Sequence, residues 1–149
     1  MGLTVKAVFF DLGATLVVSD PIGWNEGAKA ALVALRALDV RVGIISNTGD
    51  MTRDQLLPML PADFDFSRFD ADLVLLSSEV GVAKPLPGIF ELAVTRAGVP
   101  AEQCLYCSED FRESLAAQGS GMCVARLEPP PNSDLKDLVS RLTELGAFR

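Results

Sequence analysis

The chain has 149 residues, of which 49% are hydrophobic and 22% are charged, and its formal net charge is −7. This length fits a single domain over residues 1–149, and the acidic balance argues against non-specific binding to nucleic acid or to anionic membranes, which attract basic surfaces. No apolar run approaches the roughly 18 residues of a membrane span and the first residues lack a signal-peptide pattern, so we expect a cytoplasmic protein.

The scarcity of cysteine and the lack of histidine limit which catalytic groups the protein can use. The chain has three cysteines and no histidine, which excludes Ser–His and Cys–His catalytic pairs. Cys104 and Cys107 form a C-x-x-C motif on a predicted strand, where positions three apart face opposite sides of a sheet. We therefore expect reduced thiols and no zinc site. Trp24 and Tyr106 are interpreted as packing residues.

Hydrophobic patterning predicts strands that alternate with helices. Short apolar runs rich in β-formers predict strands over 5–12, 41–47, 73–76, 103–109 and 121–127. Helical spacing of apolar residues predicts helices over 23–40, 51–58, 87–99, 111–119 and from about 134 to 145. Thr48 or Asp50 is a candidate cap for the second helix, and Ser133 or Asp134 for the last one after a stiff loop over 128–134. This alternation predicts an α/β, three-layer, Rossmann-like domain with a parallel sheet of about five strands.

Polar residues follow three of the predicted strands. Asp11 ends the first strand, the pair Ser46 and Asn47 ends the second, and an acidic stretch over 108–110 ends the fourth. Parallel sheets bind ligands at the carboxyl ends of their strands, so these residues are candidates for one site. Each alone is also explained as a turn former or a helix cap, and the acidic stretch as a helix N-terminus with favourably placed charges.

The order and spacing of these residues resemble the haloacid dehalogenase (HAD) superfamily of phosphatases and phosphotransferases. The resemblance runs from about Val5 to Val124, and its most specific stretch is "GVAKPLPGIFELAVTRAGVPAEQC", from Gly81 to Cys104. The segments "FFDLGATL" and "IISNTG" match the first and second motifs of that family. A HAD-like domain is therefore expected.

The resemblance implies a role for each matching residue. Asp11 would be the nucleophile that takes the phosphoryl group. Ser46 would hydrogen-bond a phosphate oxygen, with Asn47 beside it and backbone N–H groups helping. Lys84 would neutralise charge on Asp11 and on the phosphoryl group. Phosphoryl transfer requires this kind of positioning and charge stabilisation.

The resemblance also implies a Mg²⁺ site built from oxygen ligands. Asp11 would supply one carboxylate and Gly13 its main-chain carbonyl. The fourth family motif matches "CSEDFRE", which places Glu109 at the metal-binding acid and Glu113 at the second acid. Asp110 is the alternative ligand if the register shifts by one residue.

Gly13 departs from the family pattern. The family's phosphatases usually have an aspartate two residues after the nucleophile, which protonates the leaving group and then activates water. Loss of such a group costs roughly 10²–10⁴ in rate, least for acyl and aryl phosphates. Two functions follow: a Mg²⁺-dependent phosphohydrolase or phosphotransferase, or a catalytically impaired relative that binds or assembles with a partner.

The spacing between motifs leaves no room for a substantial cap domain. About 35 positions separate Asp11 from Ser46 and about 38 separate Ser46 from Lys84, fewer than a domain needs. An uncapped site suggests a bulky or macromolecular phosphorylated substrate, or a homo-oligomer whose neighbour supplies a lid. A dehalogenase fits less well because that class depends on a cap, and a phospho-receiver domain places its aspartate on a middle strand.

Overall fold

The computed structural model describes residues 4–128 and 134–148. In chain order its strands are β1 (Ala7–Phe10), β2 (Val17–Val18), β3 (Gly23–Trp24), β4 (Arg41–Ser46), β5 (Val74–Leu76), β6 (Cys104–Ser108) and β7 (Cys123–Arg126). The helices are α1 (Ala28–Ala37), α2 (Arg53–Leu56), α3 (Ser77–Val80), α4 (Pro87–Ala97), α5 (Phe111–Gly119) and α6 (Leu138–Glu144). Short 3₁₀ turns cover Leu57–Met59, Phe66–Arg68, Ala71–Leu73 and Ala101–Gln103.

A five-stranded parallel sheet forms the centre, in the order β5-β4-β1-β6-β7. Alternate residues of β1 face opposite sides, so Val8 and Phe10 belong to one apolar core and Ala7 and Phe9 to the other. Helices α1 and α6 add side chains to the first core, and α4 and α5 add them to the second. The predicted three-layer α/β fold with a parallel sheet is confirmed.

The C-x-x-C motif lies on β6 as predicted. Cys104 belongs to one core and Cys107 to the other, because residues three apart on a strand point to opposite faces. Both are free thiols, as is Cys123.

The register of the central strands places their carboxyl ends side by side at one edge of the sheet. Phe10 of β1 is the partner of Ile44 on β4 and of Cys107 on β6. The next residue, Asp11, donates its backbone N–H to the Cys107 carbonyl oxygen at 3.2 Å. Asp11 therefore leaves the sheet between β4 and β6, at the edge where ligands bind in such folds.

The predicted helix over 23–40 begins later than the sequence indicates. Residues 23 and 24 form β3, which pairs antiparallel with β2, and α1 starts only at Ala28. Gly27 precedes it with φ of 84°, and a Cβ added there would lie 2.5 Å from the backbone nitrogen of Lys136. The C-terminal segment thus crosses the chain at Gly27, a tertiary contact that helical periodicity does not reveal.

Other helix ends also differ from the predictions. Thr52, not Thr48 or Asp50, caps α2, in a capping box with Gln55. The last helix begins at Leu138, so Asp134 does not cap it. Ser133 and most of the predicted loop over 128–134 lie outside the described residues.

The segments between the motifs contain small elements only. Within residues 4–128, the hairpin of β2 and β3 and helix α1 fill the first interval, and α2, β5, α3 and 3₁₀ turns fill the second. Neither interval holds a cap domain in this part of the chain. Over the described residues, each helix is too short or too polar to cross a membrane.

Candidate functional site

Asp11 is held in place immediately after β1. Its side chain is 16% exposed, and its Oδ1 accepts the backbone N–H of Leu12 at 2.8 Å. The chain then turns sharply, because the Leu12 carbonyl accepts N–H groups from Leu16 at 3.0 Å and Val17 at 2.9 Å. This turn leads into the β2–β3 hairpin and leaves the carboxylate at the edge of the sheet.

Lys84 joins Asp11 in a buried cluster of polar side chains. Its Nζ lies 3.0 Å from Asp11 Oδ1 and 2.8 Å from Glu113 Oε1, and its side chain is 1% exposed. Nζ also donates to the Tyr106 hydroxyl at 2.9 Å, and that hydroxyl donates to Glu113 Oε1 at 2.8 Å. We call these four residues the Lys84 cluster. With one ammonium and two carboxylates it carries a net charge of −1 when all three are ionised.

Burial is the largest influence on the pKa values of Asp11 and Tyr106. Desolvation raises the pKa of Asp11 above its usual range; Lys84 opposes this shift and Glu113 adds to it. Burial, followed by the charges of Asp11 and Glu113, raises the pKa of Tyr106 strongly, so its phenol stays protonated. The arrangement presents a carboxylate beside a fixed ammonium, the charge pattern that can receive and stabilise a phosphoryl group.

Asn47 holds the main chain of Lys84. Its Oδ1 accepts the Lys84 N–H at 2.8 Å, and its Nδ2 donates to the Lys84 carbonyl at 3.0 Å. Both polar ends of the amide are therefore used to fix Lys84. A direct contact between Asn47 and phosphate stays a prediction.

Ser46 reaches the same edge of the sheet as Asp11. It is the last residue of β4, the neighbour of β1, and it is buried. The hydroxyl groups of Thr48, Ser77 and Ser78 next to it form a separate network, in which the Thr48 N–H donates to Ser77 Oγ at 2.8 Å. The phosphate-binding role of Ser46 stays a prediction.

The three acidic residues after β6 have different surroundings. Asp110 caps α5, since its Oδ1 accepts the Glu113 N–H at 3.0 Å. Glu113, which aligns with the second acid of the family motif, belongs to the Lys84 cluster. Glu109 is half-buried, and over the described residues its carboxylate accepts no hydrogen bond.

The donors suited to Mg²⁺ in this region are oxygens. They are the Asp11 carboxylate, the main-chain carbonyl of Gly13 and a carboxylate from Glu109 or Asp110, a hard-donor set of the kind that this ion prefers. In the part of the chain that is described, no group of three or more His, Cys, Asp or Glu side chains is placed to hold a metal ion. The metal-ligand assignments to these four residues therefore stay predictions.

Gly13 leaves space where the family has an acid. The residue is exposed, and a Cβ built on it would meet no atom within 4 Å. Among the described residues there is therefore room for a side chain to begin at this position.

Tyr106 is the site residue that sequence reasoning did not assign to chemistry. Its ring does pack, edge-on to Phe90 with centroids 5.2 Å apart, while its hydroxyl contacts Lys84 and Glu113. Because a fully buried tyrosine needs a partner for its hydroxyl, a polar contact of Tyr106 could have been expected from the sequence. Trp24 packs as predicted, stacked on Phe64 at 5.3 Å.

The protein is a Rossmann-like α/β domain, and it carries an aspartate and a buried lysine at the carboxyl edge of its sheet. Residues 4–121 match the family model "haloacid dehalogenase-like hydrolase", described as a hydrolase. The chain belongs to this family.

A relative in Xenopus laevis, "Haloacid dehalogenase-like hydrolase domain-containing protein 3", is 33% identical over 108 residues. The match covers 70% of this chain and 42% of the relative, so the chain spans less than half of that protein.

Solved structures share the fold at low sequence identity. An uncharacterized protein from Listeria monocytogenes serotype 4b has a TM-score of 0.79 at 18% identity, covering 95% of this chain and 99% of that one. A predicted HAD-like hydrolase from Porphyromonas gingivalis has a TM-score of 0.73 at 16% identity, covering 98% and 100%. A HAD family enzyme from Bacteroides thetaiotaomicron, in complex with magnesium and inorganic phosphate, has a TM-score of 0.71 at 15% identity, covering 85% and 96%.

Proposed function

We propose that the protein is a Mg²⁺-dependent phosphohydrolase or phosphotransferase that acts on a phosphate ester through an aspartyl-phosphate at Asp11. The observation that carries this proposal is the pairing of Asp11 with the buried ammonium of Lys84. Oδ1 of Asp11 faces Lys84 and the Leu12 N–H, whereas Oδ2 accepts no hydrogen bond from any described residue. One carboxylate oxygen is thus fixed and the other is available to attack phosphorus.

The proposed reaction has two steps. In the first, a carboxylate oxygen of Asp11 attacks phosphorus, the bond from phosphorus to the leaving-group oxygen breaks, and that oxygen takes the electron pair. In the second, water attacks the same phosphorus and loses a proton to solvent while the aspartyl O–P bond breaks, which returns the carboxylate and releases phosphate. In a phosphotransferase, an acceptor hydroxyl replaces the water.

Lys84 and Ser46 supply the remaining protein groups. Lys84 offsets the negative charge of the carboxylate as the phosphoryl group approaches, and Ser46 binds a phosphoryl oxygen. When bound, Mg²⁺ supplies shielding between the two negative partners. Asp11, the Gly13 carbonyl and either Glu109 or Asp110 would hold it. The Bacteroides structure, which has the same fold and holds magnesium and inorganic phosphate, supports Mg²⁺ as the proposed ion.

Gly13 restricts the proposed substrate class. Without an acid at this position, the leaving group must depart without proton transfer from residue 13, which favours acyl and aryl phosphates over alkyl esters. The uncapped edge of the sheet suits a bulky phosphorylated substrate, or a homo-oligomer in which a second copy covers the site.

A second candidate function is binding or assembly without turnover. The specific observations in its favour are the open position at Gly13 and the use of Asp110 as the cap of α5. In this case the Lys84 cluster would stabilise the fold and would have no chemical role.

One assay separates the two functions. The wild-type protein is incubated with Mg²⁺ and p-nitrophenyl phosphate or acetyl phosphate, and product release and acid-stable, hydroxylamine-sensitive phosphoprotein are measured. Asp11→Asn should abolish both signals, whereas the matched control Asp54→Asn, at an exposed position on α2, should leave both intact. Equal signals from wild type and Asp11→Asn would refute the proposed enzyme and favour the binding function.

A further inference from the structure

We propose that Tyr106 is a positioning residue, whose hydroxyl fixes the Lys84 ammonium against Asp11. Three oxygens surround Nζ: Asp11 Oδ1 at 3.0 Å, Glu113 Oε1 at 2.8 Å and the Tyr106 hydroxyl at 2.9 Å. An ammonium has three hydrogens, and the side chain is 1% exposed. The protein thus offers one oxygen for each hydrogen of Lys84.

The two ends of Lys84 are held by the strands on either side of β1. Asn47, directly after β4, binds the main-chain N–H and carbonyl of Lys84. Tyr106, in the middle of β6, binds the ammonium at the other end. Because the main chain is already fixed, the remaining freedom of the residue is rotation of its side chain, and Tyr106 and Glu113 limit that rotation.

Tyr106 is the more rigid of these two anchors. It is fully buried, its ring packs against Phe90, and it lies opposite Phe9 in the sheet. Its hydroxyl also donates to Glu113, so it orients that carboxylate as well. Without the hydroxyl, Lys84 would keep two carboxylate partners and could shift from Asp11 toward Glu113.

The arrangement has a consequence for phosphate binding, which rests on the proposed function. A phosphoryl oxygen can contact the Lys84 ammonium only if one of the three present partners yields. Tyr106 and Glu113 hold each other, whereas Asp11 meets the ammonium through one oxygen at the open edge of the sheet. We therefore expect the phosphoryl group to share or replace the contact with Asp11 while the contact with Tyr106 persists.

The first test needs no turnover. The chain has four lysines, and Lys6, Lys29 and Lys136 are exposed, so protein labelled with ¹⁵N-lysine should give one protected ammonium signal, from Lys84. Tyr106→Phe keeps the ring and removes only the hydroxyl. We expect it to accelerate hydrogen exchange of that signal by about fivefold, the ratio that one hydrogen bond gives. Ser114→Ala removes another buried hydroxyl, which donates to the Asp110 carbonyl, and should leave the signal unchanged.

An unchanged Lys84 signal in Tyr106→Phe, or an equal change in Ser114→Ala, would overturn the proposal. A measurement on wild type covers the case in which Tyr106→Phe does not fold. Nζ lies 5.5 Å from the Tyr106 ring centroid, so nuclear Overhauser contacts should join the Lys84 side chain to the ring of this single tyrosine, and their absence would also overturn it.

A kinetic arm tests the effect on the proposed reaction. Tyr106→Phe should lower kcat by about tenfold through misplacement of Lys84, with KM nearly unchanged. If wild type and Asp11→Asn are equally inactive, the proposed function fails while the NMR result still decides the role of Tyr106. If wild type is active and Tyr106→Phe has the same kcat, the positioning role fails and the proposed function stands.

Discussion

The Lys84 ammonium lies 2.8 Å from Glu113 Oε1, and the lysine side chain is 1% exposed. The same ammonium faces Asp11, so it separates two carboxylates that would otherwise repel each other inside the protein. Lys84→Met should therefore lower the free energy of unfolding by about 3–5 kcal/mol, the usual cost of leaving buried charges without their partner. Urea denaturation measures this loss.

Lys29→Met is the matched control for this prediction. Lys29 pairs with Asp63 at 3.0 Å, but the two side chains are 48% and 53% exposed, and exposed ion pairs contribute little. A similar loss of stability in both variants would show that the Lys84 cluster has no special energetic role.

Asp11→Asn should stabilise the fold while it abolishes the proposed activity. The Lys84 cluster carries a net negative charge, and burial raises the pKa of Asp11, so ionised Asp11 costs folding free energy. At pH 7 we therefore expect the free energy of unfolding of Asp11→Asn to exceed that of wild type. A large destabilisation would mean that attraction to Lys84 outweighs burial.

The difference in the free energy of unfolding between wild type and Asp11→Asn should decrease as the pH falls. Because the pKa is raised, the folded state binds more protons than the unfolded state between the unfolded value of 3.8 and the higher folded value. The free-energy cost of ionised Asp11 is therefore fully present above the folded pKa and disappears as the pH falls toward 3.8. Thermal unfolding of wild type and Asp11→Asn at several pH values should show the two curves converging in acid.

Asp63 anchors the β2–β3 hairpin to the body of the protein. It accepts the Trp24 indole N–H at 2.7 Å and the Lys29 ammonium at 3.0 Å. Asp63→Ala removes both bonds, so local opening of the hairpin no longer requires breaking them. Amide hydrogen exchange in the hairpin should therefore accelerate by about fivefold, while β1 exchanges at its original rate. Asp65→Ala, which removes a local bond to the Ser67 N–H, should leave hairpin exchange unchanged.

The cysteines should react in an order set by burial. Burial raises the pKa of Cys104 to about 11 and that of Cys107 to about 12. The thiolate is the reactive form, so both should resist iodoacetamide at pH 8 in the native protein. Cys123, which is partly exposed, should be alkylated first, as peptide mass spectrometry would show. Rapid alkylation of Cys107 in folded protein would contradict its burial.

The sequence predicted the sheet and the edge at which Asp11 and Ser46 lie, because both depend on local patterns. Strands such as 41–47 are continuous apolar runs, and Asp11 and Ser46 end two of them. The start of α1 was not predictable in this way. Its true N-terminus depends on the pairing of β3 with β2 and on the passage of the C-terminal segment at Gly27, which are long-range contacts.

The chemical partners within the site were harder to predict than its location. The family resemblance singled out Asp11, Lys84 and Glu113, which the structure brings into contact, yet it did not indicate that Asn47 binds the Lys84 main chain. The partners of the Tyr106 hydroxyl were likewise not predicted. A tyrosine in a buried strand needs a partner for its hydroxyl, but the sequence does not indicate which residues, here Lys84 and Glu113, supply it.

Gly13 offers a direct test of what limits the proposed reaction. An added Cβ at this position meets no atom within 4 Å, so Gly13→Asp should fold with stability close to that of wild type. If the missing acid limits catalysis, the variant should hydrolyse alkyl phosphates about 10²–10⁴-fold faster than wild type. The gain should be much smaller for acetyl phosphate, whose leaving group departs without protonation. Gly13→Asn, which has nearly the same size but cannot transfer a proton, should show no gain. Equal gains for alkyl and acyl phosphates, or a gain in Gly13→Asn, would mean that residue 13 acts by positioning the substrate and not by proton transfer.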